Sequence, residues 1–209
     1  MLTEAQKITQ VKAVLESEPE KVAVETISLA LSIEDAENRD LTLLELTAYL
    51  AGKRDWNKAI GVAQMIEASY EKTDALHYIA AQLSKAGDLE RSLWFFNEAE
   101  KEARRCDFYW QQAELLQKLA KSLLETGATS KANELLEKSV SVAQKGQDSP
   151  NLQDSLDAAS VLSESILILA SFTETETAVA LAETIKNTAI RERTLRLLFE
   201  HSSREKLVA

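Results

Sequence analysis

Residues 72–107 read KTDALHYIAAQLSKAGDLERSLWFFNEAEKEARRCD. Leu76, Ile79 and Leu83 recur at three- and four-residue steps, and Ser92, Phe96 and Ala99 do the same after a break at Ala86-Gly87-Asp88. That spacing puts each triplet on one face of a helix, so the stretch reads as two amphipathic helices joined by a tight turn. A glycine just past the last apolar position suits a left-handed helix end.

Weaker copies lie on both sides. Upstream, a first helix opens at Thr3, an N-cap residue, with Ile8, Val11 and Leu15 as its stripe; Glu18-Pro19-Glu20 breaks it. A second helix carries Val22, Ala23, Ile27, Ala30 and Leu31, and the polar stretch 34–40 follows. Leu43, Leu46 and Leu50 then pair with Ala59, Ala63 and Ile66. Downstream, Leu116, Leu119 and Leu123 pair with Ala132, Leu136 and Ser139. After a polar link at 146–151, Leu162, Ile166 and Leu169 pair with Ala178, Ala182 and Ile185. A last helix over 191–199 repeats the opening of the third, with Arg191, Thr194, Leu195 and Leu198 matching Arg39, Thr42, Leu43 and Leu46.

The turns share a rule. Leu50 and Ala59, Leu83 and Ser92, Leu123 and Ala132, and Leu169 and Ala178 each place a small residue nine after a Leu. A small residue early in the second helix lets its backbone approach the first closely. Gly87 and Gly127 suit left-handed closures, whereas Arg54 and Thr173 stand in their place, so those two turns are expected to close differently. The small anchors Ala23, Ala59, Ser92, Ala132 and Ala178 are 36, 33, 40 and 46 residues apart, a solenoid-like period whose drift implies longer later helices or links. The expected fold is all-α: one helical-repeat domain over 1–209, with the best repeats at 38–145, looser ones at 3–35 and 151–188, and a capping helix at 189–200.

Composition agrees with this and limits function. The 209 residues include 5 Gly and 2 Pro, and 45% are hydrophobic, enough for a full core. A formal charge of -10 disfavours nucleic acid and anionic membranes, both of which need a basic footprint, and is compatible with a basic peptide. One cysteine, Cys106, excludes an intrachain disulfide, and the N-terminus shows no signal-peptide pattern; a reducing, cytoplasmic setting is expected. The longest apolar run, 166–170, is far too short for a membrane span.

Residue by residue, the central units resemble the tetratricopeptide repeat. The family's large and small positions are filled by Leu76, Ile79, Ala80, Leu83, Ser92, Phe96 and Ala99; then by Leu116, Leu119, Ala120, Leu123, Ala132 and Leu136; then by Leu43, Leu46, Thr47, Leu50, Ala59 and Ala63. Leu replaces the family's Trp in each unit, and Glu71, Arg104 and Gln144 stand where its Pro would close the repeat. The resemblance implies a right-handed α-solenoid of about five hairpins that binds a peptide or helix of a partner protein in a groove lined by first helices. The corresponding groove positions are Asp74, His77 and Lys85, then Glu114, Gln117 and Lys121, with Leu41, Leu44, Ala48, Ala81 and Glu125 beside them. The Lys and Asn carboxylate clamp of the chaperone-binding members is missing, so no chaperone partner is implied.

Catalytic and metal chemistry find little footing. His77 and His201 are the two histidines, without the spacing of a metal site, and no cofactor is expected. Cys106 follows Arg104-Arg105 but has no identifiable base; it reads as a half-buried residue at a helix end. The run from Glu98 to Arg105 reads as a solvated face, with Glu100 to Arg104 attractive and Lys101 to Arg105 repulsive. The aromatic runs 94–96 and 108–110 are expected to bury Phe96 and to leave at least one of Trp94, Phe95, Tyr109 and Trp110 outward, since helix neighbours differ by about 100°. The reading is a non-enzymatic protein-interaction module. A structural scaffold that associates with copies of itself is the alternative, and a small-ligand binder or enzyme comes third.

Overall fold

The computed structural model describes residues 2–17 and 24–208. Among these residues there are eleven α-helices and no strand. The expected break at Pro19 and the anchor Ala23 lie outside the described residues.

The chain forms two compact units, dividing after Glu102. The first holds α1 (Glu4–Ser17), α2 (Val24–Leu31), α3 (Ala36–Gly52), α4 (Trp56–Gln64), α5 (Ser69–Lys85) and most of α6 (Leu89–Ala103). In it, α1 touches α3 and α3 touches α5, while α2 packs on α1 and α3, and α4 on α3 and α5. Odd helices thus form one row and even helices a second row that bridges them. The second unit repeats the arrangement with α7 (Tyr109–Glu125), α8 (Thr129–Gly146), α9 (Leu152–Leu169), α10 (Thr175–Glu183) and α11 (Thr188–Val208).

Most positions of the expected apolar stripes are the cores of these rows; Leu31 is instead 42% exposed, and Ile8, Leu15, Ile27 and Leu76 are half-buried. Leu43, Leu46, Leu50, Ile79, Leu83 and Phe96 are at most 3% exposed, as are Leu116, Leu119, Leu123, Leu162 and Ile166. Every small residue nine after a Leu is buried with its Leu: Ala59, Ser92, Ala132 and Ala178 are each at most 2% exposed. Ser92 adds a hydrogen bond, its Oγ donating to the Ala80 carbonyl at 2.8 Å, so it seals α6 onto α5 where a larger side chain would hold them apart.

Three hairpin turns close in one way. Asp55 N–H reaches the Leu50 carbonyl, Asp88 N–H that of Leu83, and Ala128 N–H that of Leu123, at 2.9–3.0 Å. One residue earlier, Arg54, Gly87 and Gly127 sit at φ of 62°, 85° and 79°. This is the Schellman closure. The expectation that Arg54 closes its turn differently is therefore corrected: Arg54 adopts the glycine conformation and bears its steric cost. The Thr173 turn does differ, closing with Phe172 N–H on the Leu169 carbonyl at 2.8 Å.

The uneven spacing of the anchors comes from the even helices. α4 has 9 residues, whereas α6 has 15 and α8 has 18, which lengthens the later intervals by about two helical turns each. At α1, Thr3 and Gln6 form a reciprocal capping box, Thr3 N–H to Gln6 Oε1 at 2.9 Å and Gln6 N–H to Thr3 Oγ1 at 3.3 Å. α11 runs to Val208, beyond the expected end near residue 200, because no Gly or Pro follows Pro150 to stop it. Its Thr194 is fully buried and donates to the Ile190 carbonyl, as the matching Thr42 donates to that of Asn38, both at 2.7 Å.

Two further expectations are corrected. Glu100 is only 5% exposed, not on a solvated face, because it shares the inward side of α6 with Phe96 and Ala103. Gly146 belongs to α8 rather than to the link, and its bare Cα lies against α7 and α9. Cys106 is buried in the loop position that Ile33, Ile66 and Ile185 fill elsewhere. No helix among the described residues is long and apolar enough to cross a membrane.

Candidate functional site on α7 and α9

In the second unit, α7 buries Ala113, Leu116, Leu119, Ala120 and Leu123 on one side. A second stripe, Trp110, Glu114, Gln117 and Lys121, follows the same helical step and turns toward α9. There it meets Asp157, Val161 and Glu164, themselves spaced by four and three. The two stripes line a depression of about 230 Å³.

Its floor is a buried polar chain. Ser139 of α8 donates to the Ala113 carbonyl at 2.7 Å and lies 2.9 Å from Ser165 Oγ of α9. The Gln117 amide is 3.1 Å from the same Ser165 Oγ whichever way it is turned. All three side chains are less than 5% exposed. At the rim Lys121 pairs with Glu164 at 3.4 Å, and Asp157 accepts from the Gln153 amide at 2.9 Å. The rim therefore presents three carboxylates, Glu114, Asp157 and Glu164, with Lys121 set among them.

At the N-terminal end of α7 the stripe opens into a larger depression of about 430 Å³. Phe108, Tyr109 and Trp110 wall it on one side, and the end of α8 with the α8–α9 loop walls the other. Phe108 and Tyr109 are 48% and 49% exposed; Trp110 is half-buried and lines both depressions. Its indole Nε1 is buried with no acceptor among the described residues. The α8 backbone can come this close because residue 146 is glycine: a Cβ there would stand 2.7 Å from Ala158 Cβ and 3.1 Å from Tyr109 Cβ.

Each expected groove residue has a definite place. Glu114, Gln117 and Lys121 come together on α7; Glu114 is half-buried, Gln117 is 4% exposed, and Lys121 is exposed with its ion pair. On α5, Asp74 and His77 are each 8% exposed and Lys85 is exposed. The His77 ring lies 6.2 Å from that of Phe96 and 5.9 Å from that of Tyr78. Of the aromatic runs, Phe95 and Phe96 are buried and Trp94 and Tyr109 face outward. Near Asp74, burial holds the Glu71 carboxyl above its ordinary range, and the carboxylates of Asp40, Asp74 and Glu37 add to the shift.

The sequence reading left several residues of the site unassigned. Trp110 stands four before Glu114 on the same stripe, a step that the apolar periodicity could have extended. Asp157 and Glu164 were not legible, since pairing them with α7 needs the α7–α9 contact itself. No group of three or more His, Cys, Asp or Glu side chains among the described residues could hold a metal ion.

No family model and no curated protein matches the chain. Among solved structures, it is similar to the crystal structure of Ton1535 from Thermococcus onnurineus NA1, with 15% sequence identity, a TM-score of 0.54 and coverage of 93% of this chain. The chain spans 56% of that structure's chain. At this identity the likeness concerns the fold alone.

Proposed function

We propose that the protein is a non-enzymatic interaction module, an α-solenoid of tetratricopeptide-like hairpins that receives a peptide or helix of a partner protein. The observation that carries this reading is the face of α7 and α9, where two adjoining depressions of about 430 and 230 Å³ share Trp110. Concave, partly aromatic surfaces of this kind are where partners find anchoring pockets. The two-row packing within each unit supports the helical-repeat reading. Glu114, Gln117 and Lys121 belong to the binding face; Asp74, His77 and Lys85 stand on α5 of the first unit, where Lys85 is exposed and Asp74 and His77 are each 8% exposed. The charge of -10 favours a basic partner segment in a cytoplasmic setting.

Affinity capture tests the reading. Proteins retained by the wild-type chain should be lost with Glu114→Lys/Glu164→Lys and kept with Glu90→Lys, which alters the exposed start of α6. Retention of every captured protein by the double variant would contradict it.

A second reading, self-association, is favoured by the outer face of α6, where Leu89, Leu93 and Trp94 are 54%, 42% and 57% exposed. Light scattering decides it: a mass that does not change with concentration removes the self-associating scaffold.

A further inference from the structure

We propose that the depression at the start of α7 seats an arginine side chain of the partner, an inference that rests on the interaction-module reading above. The Phe108 and Trp110 rings are 6.5 Å apart and 28° from parallel. With that distance between their centroids they form a near-parallel aromatic pair beside the half-exposed Tyr109, an aromatic surface on which a planar guanidinium can stack. Guanidinium is attracted to aromatic faces electrostatically and also stacks on them, which an ammonium cannot do.

The surrounding charge has the matching sign. Asp107, Asp148 and Asp154 line the depression together with Lys145. Asp148 is paired with Lys186, which leaves Asp107 and Asp154 to balance an incoming cation; Asp154 accepts a hydrogen bond from Ser149 Oγ at 3.4 Å. The 18-residue α8 ends against the depression at Gly146, so its carbonyl terminus adds partial negative charge. The opposing positive end of α9 is partly satisfied, since Asn151 Oδ1 accepts from the N–H groups of Gln153 and Asp154 at 2.8 and 3.3 Å. Phe108 and Tyr109 are about half exposed, open to a partner and open to substitution.

The test is calorimetric titration of the full chain with an oligoarginine peptide and with its oligocitrulline counterpart, in which each guanidinium becomes a neutral planar urea. Oligoarginine should bind at physiological salt and oligocitrulline should not. Phe108→Ala/Tyr109→Ala should weaken oligoarginine about tenfold, between the exposed and desolvated values of cation–π contacts, while Trp94→Ala leaves it unchanged. Circular dichroism of each variant confirms that the helices remain. Equal binding of the two peptides, or unchanged binding by the double variant, overturns the arginine seat. Repeating affinity capture with the double variant separates the two proposals: if captured partners are lost while both peptides bind alike, the arginine seat falls and the interaction module stands.

Discussion

In the unit that ends at Glu102, α2 and α4 have 8 and 9 residues; in the unit that follows, α8 and α9 have 18 each. Helices of two turns are weak on their own, and the first unit secures their linkers with side chains from the preceding odd helix. Asp40 of α3 accepts from the N–H groups of Glu67 and Ala68 at 3.1 and 2.7 Å, just ahead of α5, and Glu4 of α1 accepts from Glu34 N–H at 2.8 Å. The second unit caps the linker after its own nine-residue helix, α10, with a side chain as well, Gln147 Oε1 accepting from Lys186 N–H at 2.7 Å, and adds a near-contact at Gly146 and a buried serine chain across α7, α8 and α9. The same row-on-row packing thus uses loop caps in both units and adds close helix contact in the second, and the candidate site lies where that contact is.

The largest expected effect is at the glycines. Gly146→Ala sets a Cβ against two fixed Cβ atoms, the nearer at 2.7 Å, and neither can rotate away. Urea unfolding should show a loss of about 2 kcal/mol, overpacking less the helix propensity of Ala. Gly61→Ala in α4 meets nothing within 4 Å and should instead gain about 0.5–1 kcal/mol. Next comes Ser165→Ala, which removes a partner of both Ser139 and Gln117 and should cost about 1–2 kcal/mol. A double-mutant cycle with Ser139→Ala should give a total smaller than the sum of the single losses.

Asp40→Ala tests the first unit's reliance on caps. It should cost about 1 kcal/mol and speed amide exchange at Glu67 and Ala68. Arg54→Gly should raise stability by about 0.5–1 kcal/mol by relieving a positive φ of 62°, whereas Gly87→Ala should lower it by a similar amount.

The smallest effect depends on pH. The folded Glu71 carboxyl is raised above its ordinary 4.5, chiefly by burial, so its ionised form is disfavoured in the fold. Stability is then lost as pH rises from the ordinary value through the raised one. Glu71→Gln should therefore melt higher than wild type near pH 7 and together with it at about pH 3, below both values; the same difference at both pH values would remove the electrostatic origin.

What the sequence disclosed was periodic. The three- and four-residue steps located the helices, and the Leu-to-small rule of nine located the hairpin turns, because both are set by local geometry. What it hid was either tertiary or chemically disguised. Arg54 conceals a glycine-type turn, since its left-handed φ is imposed by the Leu50–Asp55 closure rather than by its own preference. Asp40 looked like part of a polar link because the amides it caps are 27 and 28 residues away. The stripe through Glu114, Gln117 and Lys121 was legible on α7, but Asp157 and Glu164, which complete the site, come from a helix that only folding brings alongside.

The most direct test of the α7–α9 face as the binding surface is hydrogen exchange measured by mass spectrometry, comparing the chain alone with the chain bound to a captured partner. Slowed exchange in peptides covering 108–121 and 148–164 is the expected result. Protection confined to residues before Glu102, with those two stretches unchanged, would contradict the account.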